Sequence, residues 1–311
     1  MKIPIALLAV FVAIASAAAQ TRQGGDGIAP TFRAAVELTV VLVNVTDPDN
    51  RAAAALTRDD FVLLENGTPQ PLAHFLSAGG AVDVVLLIDI SGSITPVLSD
   101  LRRTVTDFVD ALRPGDRVMV VAFDHRLRPL SPFTDDREEL ERAVGRVRPT
   151  GSTSLFDSVY ITLKTLAAST NDFSRRRAVV VISDGEDTSS VLQPRDVRDQ
   201  STRCGVPIYV VLLSRPIEPA HDRFGSYDDK RRRFEVKALA TETGGRMFSV
   251  AEGHGLRNAY RAIVDDLSQQ YVLAYERTVD AARTQVTVQI PSRPSAIVKM
   301  HLGGPRTREG G

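Results

Sequence analysis

Val84-Val85-Leu86-Leu87-Ile88-Asp89-Ile90-Ser91-Gly92-Ser93 is the stretch that decides how this chain reads. An unbroken apolar run ends on one carboxylate, and two hydroxyls follow at alternate positions. The run has the length and β-branched content of a strand buried on both faces, as in a parallel sheet. Asp89 and the residues after it then lie at the carboxyl end of that strand, where open α/β sheets bind ligands. One carboxylate and two hydroxyls converging there suit a hard cation such as Mg²⁺, which takes oxygen ligands and dehydrates reluctantly.

Outward from this stretch, strand and helix alternate. Strands are expected over 82–89, 118–123, 178–183, 208–213 and 246–250. Helices are expected over 95–112, 137–147, 154–166, 194–203, 235–243 and 256–269. The first helix rests on Val97, Leu101, Val105, Phe108, Val109 and Leu112 at helical spacing, with Pro114-Gly115-Asp116 breaking it. Such βα alternation predicts an α/β fold, Rossmann-like, in which a doubly wound, mostly parallel sheet carries helices on both faces.

The flanks differ. Residues 32–78 read as a small β module: a strand over 35–45, a turn at Thr46-Asp47-Pro48-Asp49-Asn50 and a connection over 56–60. The strand 61–65 then runs into Asn66-Gly67, a hairpin signal, with 71–76 as its return. After the alternating unit, 270–275, 284–290 and 296–301 regain strand character. Residues 270–302 are therefore expected to pack with the β module, joining the two ends of the chain. Residues 20–31 read as a flexible N-terminus, and the Gly- and Arg-rich segment 303–311 as a disordered tail.

Lys plus Arg and Asp plus Glu each number 38, so no net field draws nucleic acid or an anionic membrane. The clusters Arg175-Arg176-Arg177 and Lys230-Arg231-Arg232-Arg233 have acids nearby and no interleaved aromatic residues, and both read as solvated surface. Residues 1–19 have the layout of an export signal: Lys2, an apolar stretch, then small residues at Ala17 and Ala19 that suit cleavage before Gln20. The rival is an uncleaved anchor, and the chain meets a membrane only if that segment is retained. Its Ala content and small-residue end favour cleavage and a periplasmic or extracellular address. The one cysteine, Cys204, can form no intramolecular disulfide and reads as a small buried apolar residue. The histidines (His74, His125, His221, His254, His301) show no metal-ligand spacing; His125, just after a strand, reads as a loop surface residue, with approach to the strand-end loops as the alternative.

Three expected strand-end loops carry oxygen ligands: Asp89-Ile90-Ser91-Gly92-Ser93, Thr150-Gly151-Ser152-Thr153-Ser154 and Ser183-Asp184-Gly185-Glu186-Asp187. Each alone is an ordinary turn or cap. Together, in this order and context, they resemble the metal-ion-dependent adhesion site (MIDAS) of von Willebrand factor type A domains. The resemblance implies that Ser91, Ser93 and Thr153 bind the metal directly and that Asp89 and Asp184 bind directly or through water. Serine replaces the commoner threonine before the third-loop aspartate, so a hydroxyl is kept at Ser183. Glu186 and Asp187 read as water-mediated support or as caps of the next helix. Residues 82–269 resemble a complete type A domain. The segments around Asp60–Gln70 and Tyr271–Tyr275 resemble the exported VWFA-related proteins described from Acidobacteria.

In a shell dominated by neutral hydroxyls the cation keeps much of its charge and can take a further carboxylate. The leading reading is therefore an exported, metal-dependent protein-binding module of adhesion type. It would capture an Asp or Glu of a protein partner through Mg²⁺, with Mn²⁺ or Ca²⁺ as alternatives. A Mg²⁺-dependent phosphatase-like enzyme is disfavoured: Ser91 stands where such sites need a second acid, and neither a Gly-x-Ser-x-Gly elbow nor a phosphate loop occurs. The third reading is an envelope scaffold that uses metal for stability alone. The charge-dense insert 215–233 is either a specificity loop or a solvated excursion. Sequence leaves the oligomeric state open.

Overall fold

The computed structural model describes residues 36–49, 51–53, 55–92, 95, 108–110, 112–149, 151–169, 174–213, 225–250, 254–277 and 285–308. The export signal, the N-terminal segment 20–31, most of the expected helix 95–112 and residues 214–224 lie outside them.

In chain order the elements begin with β1 (Val36–Thr46), a short 3-10 turn (Arg58–Asp60), β2 (Val62–Glu65), β3 (Thr68–Gln70) and β4 (Leu72–Leu76). The alternating unit follows: β5 (Val82–Asp89), β6 (Arg117–Phe123), β7 (Leu127–Pro129), α1 (Arg137–Gly145), α2 (Leu155–Ser169) and β8 (Arg176–Ser183). It continues with α3 (Pro194–Cys204), β9 (Ile208–Leu213), α4 (Gly225–Glu242), β10 (Met247–Val250) and α5 (His254–Gln269). The chain closes with β11 (Gln270–Glu276), β12 (Val286–Gln289) and β13 (Ile297–Arg308).

The central sheet has the order β10-β9-β8-β5-β6-β7, parallel throughout except for the antiparallel edge pair β6–β7. All eight residues of β5 are buried, which is why its sequence is continuously apolar rather than alternating. Val84, Leu86 and Ile88 pack in one cluster with Leu140 of α1 and Tyr260 and Ile263 of α5. Val85 and Leu87 pack in the other with Val159 and Leu163 of α2, Val197 of α3 and Val236 of α4. Each such buried side chain stabilises the fold by roughly 1.5–3 kcal/mol over its exposed state. Local signals set the helix ends. Asp136 caps α1 by accepting from the Glu138 and Glu139 N–H groups, while Pro194 opens α3 and Gly205, at φ 56°, closes it.

β5 lies between β6 and β8, so the chain moves off it first to one side and then to the other. The carboxyl ends of β5 and β8 therefore flank the topological switch point, where parallel sheets open a crevice.

Two antiparallel sheets, ordered β13-β1-β11-β4 and β12-β2-β3, combine the N- and C-terminal segments. β1 is paired along its length with β11 on one side and β13 on the other. Phe61, Leu63, Tyr271, Leu273 and Val288 form the core between the sheets, with the Phe61 and Tyr271 rings 5.0 Å apart. The expected hairpin forms at Asn66-Gly67, both at positive φ (50° and 81°), as a tight turn of this kind requires. Its return strand is Thr68–Gln70 rather than 71–76. Pro71, with no N–H for the ladder, stands where the chain leaves that sheet, and Leu72–Leu76 pairs with β11 in the other.

Three further expectations are revised. β13 runs on to Arg308, so residues 303–308 form strand instead of tail, and Val36 pairs with Arg308. A Cβ on Gly303 would lie 2.9 Å from the Gly205 Cα, so the glycines that suggest disorder allow close packing on the end of α3. The Arg175-Arg176-Arg177 cluster is a clamp rather than solvated surface. Arg176 is buried and donates to the Ser77 and Gly80 carbonyls, Arg175 donates to Asp83 at 2.7 Å, and Arg177 donates to the Leu166 carbonyl at 2.7 Å. β8 begins at Arg176 and draws these stems inward, where burial lowers the Arg176 guanidinium to about 10. Finally, α4 starts at Gly225 and takes up the second half of the 215–233 insert. Cys204 is buried, as its setting predicts. Among the described residues no helix is long and apolar enough to cross a membrane.

Candidate metal centre at the switch point

Asp89 ends β5 with its side chain wholly buried. Its Oδ1 accepts from the Ser91 N–H at 2.8 Å and its Oδ2 from the Ser183 hydroxyl, at the end of β8, at 2.7 Å. Ser183 Oγ in turn accepts from the Gly185 N–H at 2.9 Å, so first and third loops are joined through one hydroxyl. Burial pushes the Asp89 carboxyl up to about 6; the Ser183 and Ser91 bonds pull it back, and the nearby Asp184 charge adds to the rise. Asp184 is half-buried, and its Oδ1 accepts from the Glu186 N–H at 3.0 Å. Gly185 turns the loop at φ 78°, where a Cβ would stand 2.8 Å from Leu212 Cδ1.

The second loop is fixed by backbone bonds. The Thr153 carbonyl accepts from the Thr188 N–H at 2.9 Å and from the Ser189 N–H and hydroxyl at 3.1 and 3.0 Å. The Thr153 N–H donates to Thr188 Oγ1 at 3.0 Å, and the Ser154 N–H donates to the Asp124 carbonyl at 2.9 Å. Asp187 accepts from the Leu155 N–H at 3.2 Å, so it caps α2, the helix before it in sequence, rather than the next one. Asp157, in the first turn of α2, accepts from the Val191 and Leu192 N–H groups and holds the segment after the third loop down.

The chain thus brings Asp89, Ser91, Ser183 and Asp184 together and ties Thr153 to the strap that follows Asp184. Ser93 and Thr150 lie outside the described residues. His125 does approach the second loop: its Nδ1 lies 3.9 Å from where a Cβ on Gly151 would be and 3.3 Å from Asp124 Oδ1. Asp124 itself escapes sequence reasoning. It follows β6 as Asp89 ends β5, and it is equally buried. Its Oδ1 accepts from the Arg126 N–H and its Oδ2 from Arg128 Nη2 at 2.7 Å, which makes it a brace for its loop. The signal was there in Phe123-Asp124, an acid directly after an apolar strand.

Among the described residues no three His, Cys, Asp or Glu side chains cluster as metal ligands. A cation here would lean on two carboxylates and neutral hydroxyl oxygens. The donor set fits a hard divalent ion: Asp89 is a buried carboxylate kept short of full ionisation by burial and by Asp184, and a cation would relieve both. Ser91 and Thr153, 5% and 2% exposed, add two buried hydroxyl-bearing side chains.

Residues 84–186 match the family model described as the von Willebrand factor type A domain. No curated protein sequence matches the chain. Solved structures of similar fold include BatB from Bacteroides thetaiotaomicron, 18% identical over 60% of this chain and 99% of that one, with a TM-score of 0.48. Others are proximal thread matrix protein 1 of the mussel byssus (14% identity, 61% and 49%, 0.49) and a von Willebrand factor type A protein from Catenulispora acidiphila (14% identity, 89% and 74%, 0.47). Asp89 and Asp184, at the switch point, both fall within the segment that matches the von Willebrand factor type A domain, which spans about a third of the chain.

Proposed function

We propose that the chain is an exported protein-binding module that captures an acidic residue of its partner through a divalent cation. Type A domains generally mediate protein–protein contacts, and the segment that matches them spans both candidate aspartates. The observation that carries the reading is Asp89: a buried, strand-end carboxylate oriented by two hydrogen bonds and facing a second acid across the switch point.

In this reading Asp89, Ser91, Ser93, Thr153 and Asp184 hold Mg²⁺, with Mn²⁺ or Ca²⁺ as substitutes. The cation supplies positive charge for an incoming carboxylate. Three of the five ligands are neutral hydroxyls, and five ligands leave a six-coordinate cation one open position, which an Asp or Glu from outside would fill. The Thr153–Ser189 and Ser183–Asp89 bonds hold the ligands before any partner arrives, which limits the ordering cost of binding. The module is not an enzyme: Ser91 occupies the place where a strand-end phosphotransferase needs its second acid. The leader over residues 1–19 directs it to the periplasm or beyond.

Capture from native envelope extract tests this, with wild type, wild type in EDTA, and Asp89→Ala. Capture lost in the last two is expected. Capture unchanged in both refutes metal-dependent binding, and a melting temperature lowered by EDTA with capture intact would favour the metal-stabilised scaffold instead.

A further inference from the structure

A second concave site lies at the opposite, amino edge of the parallel sheet. A cavity of about 570 Å³ opens where β1 and β13 face the start of β9, the Gly244-Gly245 turn and the last turn of α5. That volume falls in the range of small-molecule sites, roughly 300–1,000 Å³. Gly245 has no room for a side chain: its Cβ would stand 2.1 Å from the Ile208 carbonyl oxygen. The turn is thereby pressed into the wall of the cavity.

The lining is polar and its charges are not mutually consumed. Arg246 gives only Nη1 to Asp266, at 3.0 Å to each oxygen, and its guanidinium lies 5.0 Å from the Phe248 ring centroid. Its other nitrogens make no hydrogen bond among the described residues. Lys299 is exposed and makes neither ion pair nor hydrogen bond among them. Two cations thus face one carboxylate, with the amides of Asn44 and Gln269 beside them. Lys299, which meets Asp266 only through a coulombic interaction, and the half-used guanidinium suit an anion. The amides and Asp266 suit hydroxyls, and Asp266 would repel a compact, highly charged anion such as phosphate.

We propose that this cavity binds a small hydroxylated organic anion of the sugar-acid class, its carboxylate met by Arg246 and Lys299 and its hydroxyls by Asp266, Asn44 and Gln269. Isothermal titration of the full chain with glucuronate, in EDTA so that the metal centre plays no part, tests it. Saturable binding is expected, with glucose and inorganic phosphate at least about tenfold weaker, as the loss of one charge-assisted hydrogen bond implies. Lys299→Gln, at an exposed position with no hydrogen bond among the described residues, should weaken glucuronate by a similar factor with little change in the melting temperature. Arg246→Gln should do so as well. The proposal is overturned if glucuronate fails to saturate, if glucose or phosphate matches it, or if Lys299→Gln leaves its affinity unchanged.

Discussion

Replacing Asp89 by asparagine should stabilise the metal-free chain and abolish its response to Mg²⁺, two effects of opposite sign from one substitution. The carboxyl is pushed from an ordinary 3.8 up to about 6, first by burial. At about 1.4 kcal/mol per tenfold change in protonation, its ionised form costs the folded, metal-free chain about 3 kcal/mol near pH 7.5. The unfolded chain loses this proton near 3.8 and the folded chain near 6. Stability therefore falls as pH rises through that window and stays lower above it. Asp89→Asn keeps an acceptor for the Ser91 N–H and offers an N–H to Ser183 Oγ, while removing the charge and its repulsion with Asp184. A gain of about 1–3 kcal/mol follows, or roughly 2–10 °C in Tm for a domain of this size. Thermal unfolding in EDTA and then in excess Mg²⁺ reads both effects. Wild type should gain by mass action as Mg²⁺ is added, and the variant should not. A variant that melts below wild type in EDTA, or that gains equally from Mg²⁺, would refute the electrostatic account of this site.

Gly245→Ala, whose Cβ would meet the Ile208 carbonyl at 2.1 Å, should cost more than about 3 kcal/mol in urea unfolding, whereas Gly145→Ala, with nothing within 4 Å, should be neutral or stabilising. Asp157→Ala leaves the Val191 and Leu192 N–H groups without their acceptor and should open residues 187–193 to limited proteolysis, at a cost of about 1–2 kcal/mol in global stability. Burial lowers the His301 imidazole, so the stability tied to its neutral form is present above about pH 6.5 and lost as pH falls. Denaturation of wild type and His301→Gln at pH values between about 7.5 and 5.5 should show wild type losing ground to the variant on acidification. Cys204, buried and hydrogen-bonded to Gln200 at 3.1 Å, should react with a thiol reagent only after unfolding.

The central sheet was legible because burial on both faces writes a continuous apolar run, as in Val84 to Ile88, and because a carboxylate can end such a run only where the strand meets a loop. Asp184 was legible for the same reason. Thr153 was not legible alone; its reading came from the order of three loops. Strand pairing was less readable. Residues 72–76 look like a strand, but nothing in their composition says that they pair with β11 rather than β2. The arginines at 175–177 show the limit of charge as a guide, since a long stem can bring a guanidinium inward to backbone carbonyls. Glycines at 303 and 304 signalled disorder by composition and proved to be points of close packing. In each miss the local signal was sound and a distant contact overrode it.

The hydrogen bonds of the three loops run in one direction of consequence. Ser183 joins loop three to Asp89 of loop one, and Thr153 joins loop two to the strap after loop three. Loop three is therefore common to both connections, and β8, from which it springs, lies directly beside β5. A displacement of Asp184 cannot leave Asp89 unaffected, because Asp184 directly follows Ser183, the last residue of β8, whose hydroxyl is committed to Asp89. In this link the Ser183 hydroxyl alone reaches Asp89. The same arrangement locates the energetic tension of the fold. Burial makes the Asp89 charge unfavourable at the switch point, and the nearby Asp184 adds to that cost. A scaffold of this kind is stable enough elsewhere, through β5 and its two apolar faces, to hold an arrangement that a cation would complete.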